Sequence, residues 1–401
     1  PAPLTGRRAA HRTIGPTMKV LHAAFMVHPI PGVMNQMQWE LMAAAEHGMD
    51  WDTRLFCRFA GTPNGRLIVP APPSSPSRKG AVRRWGDRVG LHRAYFRWLA
   101  EQAPRYDAIL LRYNASDPLQ ARFIRHTNTP VFPIHHTLEV PELRHSYRAA
   151  GRLIRVGLEQ LSGRSTFGAA SGIVAVTDEI LLYERNRAGG PVTPGYVYPN
   201  GIFYPVHPGT EGDERGGTPE ILFIASHFAH WHGLDLLLDS LEHSHSKFIL
   251  HLVGTLYPAD HARAAADPRI RLHGLLDIAD VHRLSQRCWL GLSSFALERK
   301  QMEQACTLKV REYLLNGLPV YASHRDVFPD DFAYYRMGPP DIEQILAYAR
   351  SIRSAGRREV AELARPFISK SSLLAGLHGW LETRVSQRSP QAAQPLPTLA
   401  V

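Results

Sequence analysis

The sequence predicts an α/β protein of two domains, each a parallel sheet covered by helices. Three observations carry that expectation. Short apolar runs rich in β-formers recur at 19–27, 53–57, 108–111, 130–134 and 172–177 with helical stretches between them, the pattern of a parallel sheet and its crossovers. A polar, glycine-rich link at 208–218 is followed by a fresh strand, 220–226, and a helix carrying Leu234, Leu237, Leu238 and Leu241 on one face. The 401 residues suffice for two substantial cores, and a chain that is 44% hydrophobic and 20% charged has ordinary globular composition.

In chain order, residues 1–17 are basic, contain Pro and Gly, and lack an apolar stretch; they read as a flexible extension, not a secretory signal. The strand at 19–27 leads through His28-Pro-Ile-Pro-Gly32 to a helix expected from about Gln36 to His47, which is how a doubly wound sheet begins. That places Gly32 and Asn35 in a loop at the C-terminal edge of the sheet, where such folds bind ligands; a tight turn without a ligand would use a glycine there too. In the stretch 78–98, Arg78, Lys79, Arg83, Arg84, Arg88, Arg93 and Arg97 interleave with Trp85, Leu91, Tyr95, Phe96 and Trp98. A basic helix with an aromatic face can lie on an anionic membrane, or its aromatics can enter the domain core. His135 and His136 end the strand at 130–134, where an imidazole can orient a sugar hydroxyl or a phosphate, or simply bond nearby backbone. Tyr198-Pro-Asn-Gly201 is a turn just before the link. Further strands are expected at 248–253, 270–274 and 289–293, an amphipathic helix at 371–383, and a loose Pro/Ala/Gln-rich tail.

The formal net charge of +10 calls for an anionic partner, and the Arg–aromatic stretch comes with no nucleic-acid motif. No apolar run approaches eighteen residues, so no spanning helix is expected. The three cysteines, Cys57, Cys288 and Cys306, lack CxxC spacing and give neither a disulfide framework nor a zinc site. His227, His230 and His232 match no common metal-ligand spacing, so no metal is expected.

The densest chemistry lies at 297–323. Thr307 is placed to cap a short helix beginning at Leu308, Asn316-Gly317 closes it, and Leu-Pro-Val-Tyr-Ala starts a buried strand. Lys309 and Glu312, three residues apart, share a helix face. A cation at a helix N-terminus suits a phosphate, and a carboxylate one turn on can accept both hydroxyls of a ribose; an i, i+3 surface pair is the other reading.

The run LKVREYLLNGLPV (308–320) resembles the nucleotide-sugar site of the group 1 (family 4) retaining glycosyltransferases, and its Arg before Glu-Tyr is similar to a bacterial polysaccharide-assembly branch, as is Trp-His-Gly at 231–233. The resemblance implies the GT-B fold: two facing Rossmann-like domains, 18–205 for the acceptor and 206–370 for the donor, a crossover helix at 371–385 and a disordered tail at 386–401. It implies that Glu312 holds the donor ribose, that Thr307, Leu308, Lys309, His232 and Gly233 lie at the diphosphate with His227 and Arg299 near it, and that His136, or His135, meets the donor sugar. The family's earlier Glu is here Gln304, and its Arg and Lys before the glycine are His227 and His232. The implied activity moves a sugar from a nucleotide diphosphate-sugar to a lipid-linked or growing surface-polysaccharide acceptor, without a cofactor or metal, in the cytoplasm at the inner face of the plasma membrane, held there through 78–98. A nucleotide-sugar epimerase and a non-catalytic, membrane-surface binding protein of the same fold are the alternatives.

Overall fold

The structure is a computed structural model that describes residues 18–58, 67–72, 81–146, 149–190, 193–203 and 214–388. The expected extension, Arg78, Lys79, most of the interdomain link and the tail from 389 on lie outside the described residues.

The first domain comprises β1 (Val20–Phe25), α1 (Pro31–His47), β2 (Trp51–Cys57), β3 (Ile68–Pro70), α2 (Ala81–Gln102), β4 (Ala108–Arg112), α3 (Pro118–His126), β5 (Val131–His135), α4 (Glu139–Ser146), α5 (Ala149–Ala169), β6 (Ile173–Ala175), α6 (Asp178–Ala188) and β7 (Gly195–Val197). Its strands run parallel in the order β3-β2-β1-β4-β5-β6-β7. All six residues of β1 are buried, as a central strand covered on both faces requires. Because parallel crossovers are right-handed, α1 covers one face of the sheet and α2, α3 and α5 the other.

The second domain comprises β8 (Glu220–His227), α7 (Leu234–Glu242), β9 (Ile249–Thr255), α8 (Pro258–Ala266), β10 (Ile270–Gly274), α9 (Ile278–Ser285), β11 (Leu290–Leu292), α10 (Leu308–Leu315), β12 (Val320–Ala322), β13 (Tyr335–Met337), α11 (Ile342–Ser351) and α12 (Arg357–Ile368). Six parallel strands take the order β10-β9-β8-β11-β12-β13, and the leucine face of α7 packs with Phe223, Leu250, Leu252 and Ile345. The last helix, α13 (Lys370–Arg388), returns to the first domain, where Leu374, Leu377 and Leu381 join Val20, Ala43 and Ala44 in one core. Residues 386–388, expected in the tail, belong to this helix.

Two expectations need correcting. Helix α1 starts at Pro31, whose ring presets the helical φ at N1, so Gly32 and Asn35 sit in its first turns and not in a loop. On α2, Leu91, Tyr95 and Phe96 are buried in the domain core and Trp98 is half-buried, while Arg88, Arg93 and Arg97 are exposed. Among the described side chains, which leave out Arg83, Arg84 and Trp85, the exposed face of α2 is therefore basic and not aromatic.

The turn before the link is pinned to the second domain. Asn200 donates from Nδ2 to the Cys306 carbonyl at 2.7 Å, and Arg311 Nε donates to the Asn200 carbonyl at 3.0 Å. Gln36 joins the domains as well, donating to the Gly201 carbonyl at 2.8 Å and accepting from Lys370 Nζ at 2.7 Å. Among the described residues, no helix is long and apolar enough to cross a membrane.

Candidate active site

In a parallel α/β sheet each helix that follows a strand begins at the sheet's C-terminal edge, so α7 and α10 open side by side above β8 and β11. Tyr313 fixes α10 there. Its ring packs on Gly291 of β11, and its hydroxyl accepts the Ile224 N–H of β8 at 3.0 Å.

The opening of α10 has unmet hydrogen-bonding capacity. Thr307 stands at the N-cap position with extended backbone, but its side chain makes no capping bond and Oγ1 is buried without a hydrogen-bond partner among the described residues. The expected cap is absent, and the first-turn amides stay open. Lys309 Nζ is also buried and bonds to nothing among the described residues, lying 5.4 Å from the centre of the Phe223 ring. Burial pulls its pKa down to about 7, and Glu312 opposes that. Glu312 is half-buried with no hydrogen-bond partner among the described residues, and burial raises its pKa despite Lys309. Leu308 faces the first domain, with Cδ1 close to Gly32 of α1.

His232 borders the same spot. Its Nδ1 accepts the Ala229 N–H at 2.9 Å, which leaves Nε2 as the protonated nitrogen and a donor. Burial, and then the Lys309 charge, push its pKa down to about 3, so the ring is neutral. Gly233 adopts a left-handed φ of 67°, and a side chain there would strike Phe295. Its N–H is already held by the His230 carbonyl at 3.2 Å, so Gly233 shapes the turn and is not a free donor. Arg299 is engaged too: it forks onto Asp235 at 2.9 and 2.8 Å and donates to the His230 carbonyl. His227 is exposed and bonds Thr255 Oγ1 at 3.0 Å. Arg299 and His227 thus have hydrogen-bond partners, whereas the side chains of Lys309, Thr307 and Glu312 have none among the described residues.

The two histidines after β5 separate. His135 is wholly buried, with Nδ1 3.0 Å from Glu139 and 3.6 Å from Glu184, and cannot reach a ligand in the cleft. His136 lines a cavity of about 260 Å³ together with Arg112, Tyr113, Thr137 and Glu142. Its Nε2 has no hydrogen-bond partner among the described residues, and burial followed by the Arg112 charge hold its pKa well below the usual imidazole value. Arg112 was not anticipated. It ends the apolar strand β4 inside this cavity, with burial lowering its pKa to about 10 against the opposing charges of Glu40 and Glu139. The visible signal was a lone cation closing the run Ala-Ile-Leu-Leu. Segment 297–306 of the second domain forms one side of this region, where Leu297, Met302 and Cys306 pack with Tyr113 and Leu138.

Beneath the cavity, His135, Glu139 and Glu184 bring their ligand atoms within 4.8 Å of one another, a spacing that could hold a metal. Arg187 already supplies positive charge there, 3.0 Å from both Glu184 oxygens and 2.5 Å from Glu159. Burial lifts Glu139 to about 7 and Glu184 to about 8.

Gln304, where the resemblance has a glutamate, ties the domains together. Its Oε1 accepts the Glu179 N–H at 3.1 Å, and its own N–H donates to the Glu179 carboxylate at 2.8 Å. A second carboxylate would repel Glu179. Gln304→Glu is expected to cost about 1 kcal/mol at neutral pH and to regain it as pH falls through the carboxylate range, read by thermal unfolding at both.

No family model matches the chain, and none of the curated proteins does. Solved structures do. Sucrose-phosphate synthase from Thermosynechococcus elongatus matches with a TM-score of 0.61 at 16% identity, over 92% of this chain and 100% of that one. The HepE protein of Anabaena, in complex with UDP, matches at 0.60 and 14% identity over 91% and 100%. WaaG, a glycosyltransferase involved in lipopolysaccharide biosynthesis, matches at 0.60 and 15% over 90% and 99%. The chain has the GT-B fold. In that fold the α10 opening and the His136 cavity belong to the second and first domains respectively.

Proposed function

We propose that this protein is a retaining glycosyltransferase that moves a sugar from a nucleotide diphosphate-sugar onto a lipid-linked or growing surface-polysaccharide acceptor. The observation that carries the proposal is the buried Lys309 ammonium at the uncapped start of α10, which has no hydrogen-bond partner among the described residues. A buried cation with no hydrogen bond is costly even with Glu312 one turn away, and a diphosphate is the ligand whose charge and acceptor oxygens complete it. The UDP complex of the HepE neighbour adds to this reading.

In the reaction, the bond between the anomeric carbon and the diphosphate oxygen breaks, the acceptor hydroxyl oxygen bonds that carbon, and the hydroxyl proton leaves with the diphosphate. Lys309 and the Nε2–H of His232 stabilise charge on the departing phosphates. Glu312 accepts the ribose hydroxyls, and neutral His136 with Arg112 orients the sugar. With Lys309 in that place, the scheme needs no divalent cation. The acceptor enters from the first domain, at an anionic membrane on the cytoplasmic side, where Arg88, Arg93 and Arg97 of α2 give an electrostatic hold.

The test is thermal unfolding with UDP, GDP, dTDP and ADP, in the parent and in Glu312→Ala. One diphosphate is expected to stabilise the parent by about 3 kcal/mol at a hundredfold excess over Kd, with the variant needing roughly tenfold more. Silence across the panel from folded protein would overturn the proposal in favour of a non-catalytic binding protein. Change of the donor sugar alone, without an acceptor, would identify an epimerase.

A further inference from the structure

Helix α5 carries Leu153, Ile154, Leu158 and Leu161 on its outer side, exposed by 73%, 67%, 49% and 75%. At 100° per residue these positions fall within roughly 140° of the helix circumference, a continuous apolar stripe. The opposite side, with Glu159, Ser162, Thr166 and Phe167, is buried. Four large apolar side chains left in water on one helix mark a docking face.

The surroundings of the stripe identify its occupant. A groove of about 440 Å³ between α3 and α5 is lined by Arg122, Arg125, Leu158 and Leu161. On the other flank, a cavity of about 910 Å³ is lined by Arg144, Leu161 and Arg164. The only acid on α5 is the buried Glu159, and α3 has none. Apolar side chains flanked on both sides by arginine-lined grooves match the acyl boundary and phosphate headgroups of an anionic bilayer. A second copy of the chain fits worse, because a two-fold contact would set this arginine-rich face against itself. Crossover geometry adds a further point: α5 leads into β6, whose N-terminal end lies at the sheet edge opposite the cleft, so the Leu153 end of α5 lies towards the side where the acceptor is proposed to enter.

We propose that α5 is a membrane-docking helix that sinks Leu153, Ile154, Leu158 and Leu161 into an anionic bilayer while the flanking arginines hold headgroup phosphates. This docking does not depend on sugar transfer, and its readout is separate from nucleotide binding. The experiment is co-sedimentation of the full chain with phosphatidylglycerol or phosphatidylcholine vesicles. The parent is expected to bind phosphatidylglycerol vesicles about tenfold more tightly, with the preference fading at high salt. The triple variant Leu153→Ser/Ile154→Ser/Leu161→Ser and the double variant Arg122→Gln/Arg125→Gln should each weaken binding about tenfold. Both should keep the parent's response to nucleoside diphosphates, which also shows them folded. Failure of the parent to bind phosphatidylglycerol vesicles, or parent-like binding by the triple variant, overturns the proposal. A dimer that the triple variant converts to monomer, read by light scattering, would assign the face to a second copy instead.

Discussion

A Lys309→Met variant is expected to be more stable than the parent when empty and to lose its response to nucleoside diphosphates. The two effects have one cause. Lys309 Nζ is buried with no hydrogen-bond partner among the described residues, and burial brings its pKa down to about 7 although Glu312 opposes the shift. In the unfolded chain a lysine keeps its proton up to about pH 10.4. Between about pH 7 and pH 10 the unfolded state therefore binds more protons, so the stability of the empty parent rises with pH across that window. Methionine removes that slope and is expected to stabilise the empty protein by about 2 kcal/mol at neutral pH. Ligand binding runs the other way. The phosphates restore the proton to Lys309, so affinity should fall by up to about tenfold per pH unit above pH 7 in the parent, with no such dependence in the variant. Thermal unfolding from about pH 6.5 to about pH 9, with and without the active diphosphate, measures both. A less stable empty variant that still responds to diphosphate would mean that Lys309 is a packing residue.

Spacing showed which side chains share a face; it could not show which of them are already taken. Lys309 and Glu312 were legible because i, i+3 residues on a short helix must lie together, and the structure leaves both without hydrogen-bond partners among the described residues. Arg299 appeared equally available until Asp235, 64 residues away in sequence, closed onto it. The N–H of Gly233 was lost to a local turn, and Thr307 has capping chemistry without a capping bond. Each of these outcomes is a competition among partners that tertiary structure decides. The parallel sheets were readable because buried strands are near-continuous apolar runs, whereas β3, β7 and β13 are three-residue edge strands too short to carry a period. Alternation on α2 fixed an amphipathic helix, and only the fold placed Tyr95 and Phe96 in the core and left α5 with the exposed apolar stripe.

Arg311→Ala is expected to destabilise the protein by about 3–5 kcal/mol, more than any change at the ligand groups. Its guanidinium is fully buried and forks onto Asp326 with both bonds at 2.6 Å, and Nε donates to the Asn200 carbonyl at the interdomain turn. Burial alone would lower its pKa, yet Asp326 more than reverses this and holds Arg311 firmly charged. Alanine would leave the buried Asp326 carboxylate and the Asn200 carbonyl without that donor, and the unpaired charge dominates the loss. Replacing both partners separates the two contributions. Arg311→Met/Asp326→Leu should recover most of the stability and remain about 1 kcal/mol below the parent, for the lost bond to Asn200. Urea unfolding of Arg311→Met, Asp326→Leu and the double variant measures the coupling. This arginine immediately precedes the Glu-Tyr pair that carried the resemblance, so its role bears on what that motif means. A pin between turn and domain predicts that the double variant still responds to nucleoside diphosphate. Loss of that response in a stable double variant would make Arg311 part of the donor site instead.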